Sequence, residues 1–465
     1  MWRWVVSELP KGWLALKLGD VVDYASNTTV QPDAMQPEAW LLELEDIERD
    51  SSRLINRTTV AERKPLSAKN AFQAGDVLYG KLRPYLNKVL LADKSGYCSS
   101  EIIPIAPGQL DRGYLFHYLR SPYFLEYVRA VTHGVRMPRL GTNQAKEAPF
   151  PLAPLGEQKR IAQKLDELLA QVDALKARID VIPATVEKIR MSMLDAAVRG
   201  RTATGHQALA NAPTQRAMIN LGDGSFELPE GWTSAPLGSL IAPDRKLCYG
   251  VVQPGPEVDS GVDLIRVCDI DRGQIAWNHL RKISSDVDHE YRRSRILPGD
   301  ILLSIVGSIG RAAIVRKDSP ANIARAVARL SPDRSRLSPE WLYLWLTCPQ
   351  VQWWLVSSSK EVARKTLNLK ELAELPVPLP PASTQAGIVR HVESIFALAD
   401  QLEAKAKAAQ KRINTLTQSL LAKAFRGELV PQDPNDEPAS TLLERIRAQH
   451  AAASKPKRGR ASAMN

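Results

Sequence analysis

A heptad seam that occurs twice constrains this chain more than any other feature. Between Leu155 and Gly200, apolar residues fall at Ile161, Leu165, Leu168, Val172, Leu175, Ile179, Ile182, Val186, Ile189 and Met193. The steps alternate four and three, the a/d spacing of a coiled coil. The seam recurs 227 residues later at Ile388, Val392, Ile395, Ala399, Leu402, Ala406, Ala409, Ile413, Leu416 and Leu420. The flanks keep that offset: Pro149-x-Pro151-Leu152-x-Pro154 matches Pro376-x-Pro378-Leu379-x-Pro381, Gln158 matches Gln385, and Arg199-Gly200 matches Arg426-Gly427. One long helix is present twice in one polypeptide.

A lone seam would suggest oligomerisation. Here a partner of matching length lies in the same chain, which favours intramolecular pairing through its effective concentration. Two duplicated helices related by a pseudo-twofold axis run antiparallel. Their seam of roughly 33 residues makes a rod of about 50 Å, at ~1.5 Å per residue. Ala399, Ala406 and Ala409 thin the second copy of the seam. Pro183 lies inside the first copy; because the heptad phase runs through it, a kink is expected there and not a hairpin. Gly200 is placed to end that helix.

The globular blocks repeat as well. Glu8-Leu-Pro-Lys-Gly-Trp13 returns as Glu227-Leu-Pro-Glu-Gly-Trp232, and the Gly75-Asp76 turn before Val77-Leu-Tyr79 returns as Gly299-Asp300 before Ile301-Leu-Leu303. The offset grows from 219 to 224 and then 227, so small insertions separate the two copies. Short β-rich runs between turn residues, and a helix with an aromatic face over Tyr114 to Tyr127 interrupted at Ser121-Pro122, indicate mixed α+β domains. The expected layout is a first domain over 1–152, a spacer helix over 153–203, a linker over 204–225, a second domain over 226–380, a second spacer helix over 381–430, and a C-terminal segment over 431–465. That last segment holds a short amphipathic helix near Ser440 to Gln449 and a basic, solvated tail, Lys455-Pro-Lys-Arg-Gly-Arg460. Trp13 and Trp232 are expected as core anchors.

The chain has 465 residues, with 62 Lys+Arg against 51 Asp+Glu, a formal charge of +11. Such a field favours polyanions, nucleic acid first. Four scattered cysteines with no CxxC pair argue against disulfides and zinc and suit a reducing cytoplasm. No signal-peptide layout and no run of eighteen apolar residues is present, so no membrane role is expected. The sequence lacks GxxxxGK[ST], HExxH, a dinucleotide-type glycine turn and the Asn/Asp-Pro-Pro-Tyr/Phe run of amino-methyltransferases. Gly307-Ser-Ile-Gly310 fits a tight turn beside a strand better than a nucleic-acid clamp. The acids on the long helices lie at i,i+2 to neighbouring lysines and point to different faces, so no catalytic centre is expected there.

The duplicated LPxGW opening, the PxPLxP exit, the Gln…Ile helix start, the endings Leu194-Asp-Ala-Ala-Val-Arg-Gly200 and Leu421-Ala-Lys-Ala-Phe-Arg-Gly427, and Gly427-Glu-Leu-Val-Pro-Gln-Asp-Pro434 resemble the specificity (S) subunit of type I restriction–modification systems. The resemblance implies two target recognition domains, each reading one half of an asymmetric bipartite double-stranded DNA site. It implies spacer helices that dock methyltransferase (M) subunits, two of them expected, and through them ATP-dependent restriction (R) subunits. The S subunit would catalyse nothing and bind no cofactor or metal; S-adenosylmethionine, ATP and Mg²⁺ would serve its partners. A cytoplasmic, nucleoid-associated location follows. A modification-only system without R is the nearest alternative; a fused nuclease or methyltransferase and a coiled-coil adaptor belong to other classes.

For DNA contact, Arg, Lys, Asn and Tyr in turn-rich loops are the residue types of choice. In the first domain these are Lys81, Arg83, Tyr85, Asn87 and Lys88, then Arg136, Arg139 and Asn143. In the second they are Arg311, Arg325, Arg329, Arg364, Lys365 and Asn368. Each suits a solvated surface charge as well as a DNA contact.

Overall fold

The computed structural model describes residues 9–132, 137–201, 217–222, 224–359 and 365–453. The protein is a mixture of short strands and helices in two compact units, residues 1–180 with 408–465 and residues 181–407. Each unit takes one portion of each spacer helix.

In the first unit, Pro10 to Trp13 closes a turn in which the Trp13 N–H donates to the Pro10 carbonyl at 3.1 Å. Gly12 has φ +95°, which a side chain would oppose. The strand Leu14–Lys17 then pairs antiparallel with Pro149–Leu152. Proline has no N–H, so the second strand donates its ladder bonds from Phe150 and Leu152, and the nitrogens of Pro149 and Pro151 face away. The carbonyls on that far side are occupied too: the Tyr114 hydroxyl donates to Pro151 O at 2.7 Å, and the Tyr118 hydroxyl to Pro149 O. These tyrosines lie on the helix Arg112–Arg120, which a second helix, Pro122–Val131, follows after Ser121. A four-stranded sheet runs Thr29–Val30, Lys69–Phe72, Gly96–Cys98, Trp40–Leu42, and a three-stranded one runs Val89–Leu91, Val77–Gly80, Ile102–Ile105.

The second unit repeats this plan with other side chains. Gly231 has φ +77° ahead of Trp232, and Thr233–Pro236 pairs with Pro376–Leu379. The Pro378 carbonyl accepts from Trp341 Nε1 at 2.8 Å. Trp341 stands at the same 227-residue offset from Tyr114, so two different side chains make one structural bond. Its larger sheet runs Cys248–Tyr249, Val327–Leu330, Ile301–Ser304, Ala312–Ile314. Trp13 and Trp232 are both buried, as expected of anchors.

The first spacer is two helices, Leu155–Asp180 and Ile182–Val198, interrupted at Val181. Pro183 falls in the first turn of the second piece, where its missing N–H would have no intrahelical partner anyway. The expected kink is therefore a one-residue interruption with restart. The other spacer, Ala382–Phe425, has no proline and runs 44 residues unbroken. In the first unit Ile161 and Leu165 share a core with Leu421 and Phe425, and Gln410 Nε2 donates to Asp180 Oδ1 at 2.5 Å. In the second, Leu194 and Val198 share a core with Ile388 and Val392, and Arg190 pairs with Asp400 at 2.8 Å. Within each unit the pairing is antiparallel. Ile161, Leu165, Val172 and Val186 are buried, whereas Leu175, Ile189, Leu402 and Leu416 remain about half exposed. Two helices cover only one side of each other, which leaves flanking seam positions open. Gly200 (φ +67°) and Gly427 (φ +72°) follow the helix ends in the left-handed conformation.

The end of the expected linker is not plain: the strand Met218–Leu221 pairs antiparallel with Gly224–Glu227, and Ile219, Leu221 and Phe226 are buried. The alternation there is too short to stand out in the sequence. The helix Ala439–Ala453 places Ala439, Leu442, Leu443 and Ile446 in the core of the first unit. The basic tail at 455–460 lies outside the described residues.

Candidate nucleic-acid interface

In the first unit the chain leaves Val77–Gly80 and pairs again at once. Leu82 forms an isolated antiparallel bridge with Arg139; Leu140 N–H donates to Lys81 O at 3.0 Å and Arg83 N–H to Pro138 O at 2.8 Å. Two basic stretches more than fifty residues apart in sequence thus become one surface. Arg83 is exposed and sits in the left-handed region, φ +48°. Tyr85 is half exposed, Lys81 is partly covered, and Asn143 is exposed on the short helix Thr142–Lys146. Arg139 is half exposed, and its Nε donates to Glu101 at 3.0 Å.

Two first-domain residues turn inward. Asn87 is buried, its Nδ2 donating to the Arg120 carbonyl at 3.5 Å. Lys88 donates from Nζ to Leu44 O at 2.7 Å, and burial holds its pKa below the usual lysine value. Both brace the turn from inside and leave their polar ends little freedom for a ligand. Arg136 lies outside the described residues.

The second unit builds the same frame. Val306 bridges Thr366, Gly307 N–H donates to Lys365 O at 3.0 Å, and Leu367 N–H donates to Ile305 O at 2.9 Å. Gly307, with φ +77°, stands where the first copy has Arg83, and Gly310 also has positive φ, so GSIG is a turn after a strand. Arg311, Arg325 and Lys365 are exposed. Arg311 reaches Ile270 O from Nη1 at 3.4 Å. Asn368 is exposed at the N-cap of Leu369–Glu374. Arg329 turns inward: 3 % exposed, it donates to the carbonyls of Arg293 (2.6 Å), Arg295 (3.1 Å) and Lys246 (3.0 Å). A buried guanidinium so committed is a scaffold group. Arg364 lies outside the described residues.

Glu101 has no sequence signal, because its contact with Arg139 spans 38 positions. Gln158 and Gln385 stand out in the sequence only as a matched pair. Gln158 accepts from Asp111 N–H at 3.0 Å and donates to Ala153 O at 2.8 Å. Gln385 accepts from Ser338 N–H and donates to Pro380 O, both at 3.0 Å. Asp111 and Ser338 are N-caps of corresponding domain helices, so each glutamine fastens a spacer helix to its domain. Among the described residues no group of three or more His, Cys, Asp or Glu is placed to hold a metal ion, and no helix is long and apolar enough to cross a membrane.

Two mixed α/β units, each holding part of both long helices and presenting a differently surfaced copy of one loop frame, define a two-module recognition protein. The family described as "Type I restriction modification DNA specificity domain" matches residues 10–184 and 274–411. The chain is 45% identical over 353 residues to the type I restriction enzyme EcoBI specificity subunit of Escherichia coli, covering 74% of this chain and 73% of that one. It is 30% identical to the EcoKI specificity subunit of Escherichia coli strain K12, over 75% of this chain and 74% of that one. The fold is similar to a chain from a structure titled "Structural basis underlying complex assembly and conformational transition of the type I R-M system", with a TM-score of 0.68, 20% identity, and 91% and 100% coverage. It is also similar to the HsdS subunit from Thermoanaerobacter tengcongensis, with a TM-score of 0.56, 22% identity, and 91% and 99% coverage. The protein belongs to the family of type I restriction–modification specificity subunits.

Proposed function

We propose that this chain is the sequence-reading subunit of a type I restriction–modification complex, each unit reading one half of an asymmetric bipartite site in double-stranded DNA. The observation that carries this is the repeated bridge, Leu82–Arg139 and Val306–Thr366, which holds one backbone frame under two unlike sets of side chains. The partly covered Lys81 with the exposed Arg83, Tyr85, Arg139 and Asn143 in one unit, and the exposed Arg311, Arg325, Lys365 and Asn368 in the other, are the residues assigned to DNA. The chain itself performs no chemistry. M subunits, two per complex, bind the spacer helices and use S-adenosylmethionine; R subunits join through M and use ATP and Mg²⁺. The complex works in the cytoplasm on the nucleoid.

Mapping methylated adenines genome-wide with and without the gene tests this reading. The expected result is loss of one motif made of two unlike halves with a fixed unread gap. An unchanged methylation map, or turnover by the purified chain alone with S-adenosylmethionine, Mg²⁺ and DNA, would overturn it.

A further inference from the structure

The two copies of the loop frame supply an internal control. Lys81 N–H donates to Glu101 O at 2.9 Å, and the matching bond in the second unit runs from Ile305 N–H to Ala326 O, also 2.9 Å. The Leu82–Arg139 bridge corresponds to Val306–Thr366. Where the first copy has Arg139 and Glu101, the second therefore has Thr366 and Ala326. The same backbone forms with no arginine and no carboxylate, so the ion pair is not what the frame requires. A half-exposed ion pair also adds little to stability.

The geometry of the pair is that of a mounted probe. Glu101 is held by its carbonyl bond to Lys81 and by an N–H to Ser99 Oγ contact at 3.4 Å. Its carboxylate takes Arg139 Nε, with Oε2 at 3.0 Å and Oε1 at 3.2 Å. The structure gives Nη1 and Nη2 no partner among the described residues. The guanidinium is thus fixed at its stem end while its two-pronged end stays open. Two coplanar N–H donors match the O6 and N7 acceptors that guanine presents in the major groove, and no other base offers two acceptors there.

We propose that Arg139 reads a guanine in the half-site bound by the first unit, and that Glu101 is its positioning residue. This rests on the DNA-reading function proposed above. Arg139→Thr and Glu101→Ala place in the first copy the residues that the second copy carries, so the frame is retained in both; thermal unfolding of each variant verifies this.

The test uses the full chain assembled with its M subunits. Duplexes carry the mapped motif with each base pair of the first half substituted in turn. Wild type discriminates at one G·C pair by about 10- to 100-fold. R139T abolishes that discrimination at that pair only and leaves the second half as strict as before. E101A weakens it, and Glu101→Gln restores much of it, because an amide oxygen still accepts from Nε. The proposal is overturned if R139T keeps wild-type discrimination at every pair. It is overturned equally if R139T lowers affinity uniformly with a shallower salt dependence, the mark of a phosphate contact. A wild-type complex that prefers no motif would sink the DNA-reading function itself, which separates the two failures.

Discussion

Trp13 Nε1 donates a hydrogen bond to Glu157 Oε2 at 2.8 Å, joining the LPxGW turn to the first turn of the spacer helix. Both side chains are buried, and Oε1 of Glu157 has no partner among the described residues. Burial pushes the Glu157 carboxyl above its ordinary value, while the indole bond and Arg160 pull the other way. The folded state therefore holds this proton more tightly than the unfolded chain. The contribution to stability is highest below the ordinary carboxylate range and falls as pH rises through the raised pKa. Calorimetry at about pH 4.5 and about pH 7.5 is expected to show a smaller loss for Glu157→Gln than for wild type. Trp13→Phe strands the carboxylate and costs about 1–3 kcal/mol at neutral pH.

Gln158 and Gln385 each satisfy a domain-helix N-cap N–H and a carbonyl beside the spacer. Gln158→Ala or Gln385→Ala leaves those groups unpaired, at about 1–3 kcal/mol each. The two sites share no partner, so the double variant is expected to lose the sum. Hydrogen exchange localises each effect: Q158A loses protection around Asp111, Q385A around Ser338. Gln158→Glu is expected to be worse than Ala, since a carboxylate cannot donate to Ala153 O.

Gly12 and Gly427 separate backbone strain from crowding. A Cβ at Gly12 meets nothing within 4 Å, whereas one at Gly427 would sit 2.2 Å from Pro10 Cγ. Gly12→Ala carries only the left-handed cost of about 1–2 kcal/mol. Gly427→Ala carries that cost and a displacement of Pro10, and is expected to lower the melting temperature further.

Arg329 suits DNA contact by residue type, yet its side chain is buried and its Nη1 and Nη2 donate to the carbonyls of Arg293, Arg295 and Lys246. Arg329→Lys cannot reproduce the planar fork. It is expected to cost about 3 kcal/mol or more in unfolding free energy. The exposed Arg325→Lys should leave stability unchanged within about 0.5 kcal/mol. Unfolding both variants in urea checks the contrast.

Repetition makes the fold legible. Heptads, LPxGW and PxPLxP are short-range signals, and each occurs twice, so the residue pattern alone places the spacer helices and the domain entrances. What stays hidden in the pattern is long-range or depends on burial. Glu101 and Arg139 lie on separate stretches of chain that meet through the Lys81–Leu82 segment, which bonds to Glu101 on one side and bridges Arg139 on the other. Asn87 and Arg329 look like surface residues in sequence because polarity does not encode where a side chain points. The interruption at Val181 is masked by a heptad phase that continues through it. The pairing of Met218–Leu221 with Gly224–Glu227 is hidden by its brevity.

The alternating prolines of the exit strands, Pro149 and Pro151 with Pro376 and Pro378, have a consequence for solubility. A strand exposing free N–H groups along its outer border can recruit a strand from another molecule and begin aggregation. Here the outward nitrogens carry no hydrogen, and the carbonyls of Pro149, Pro151 and Pro378 are already occupied by Tyr118, Tyr114 and Trp341. The exit-strand border of each two-stranded ladder thereby gives an incoming strand no N–H to accept from and few open carbonyls to donate to.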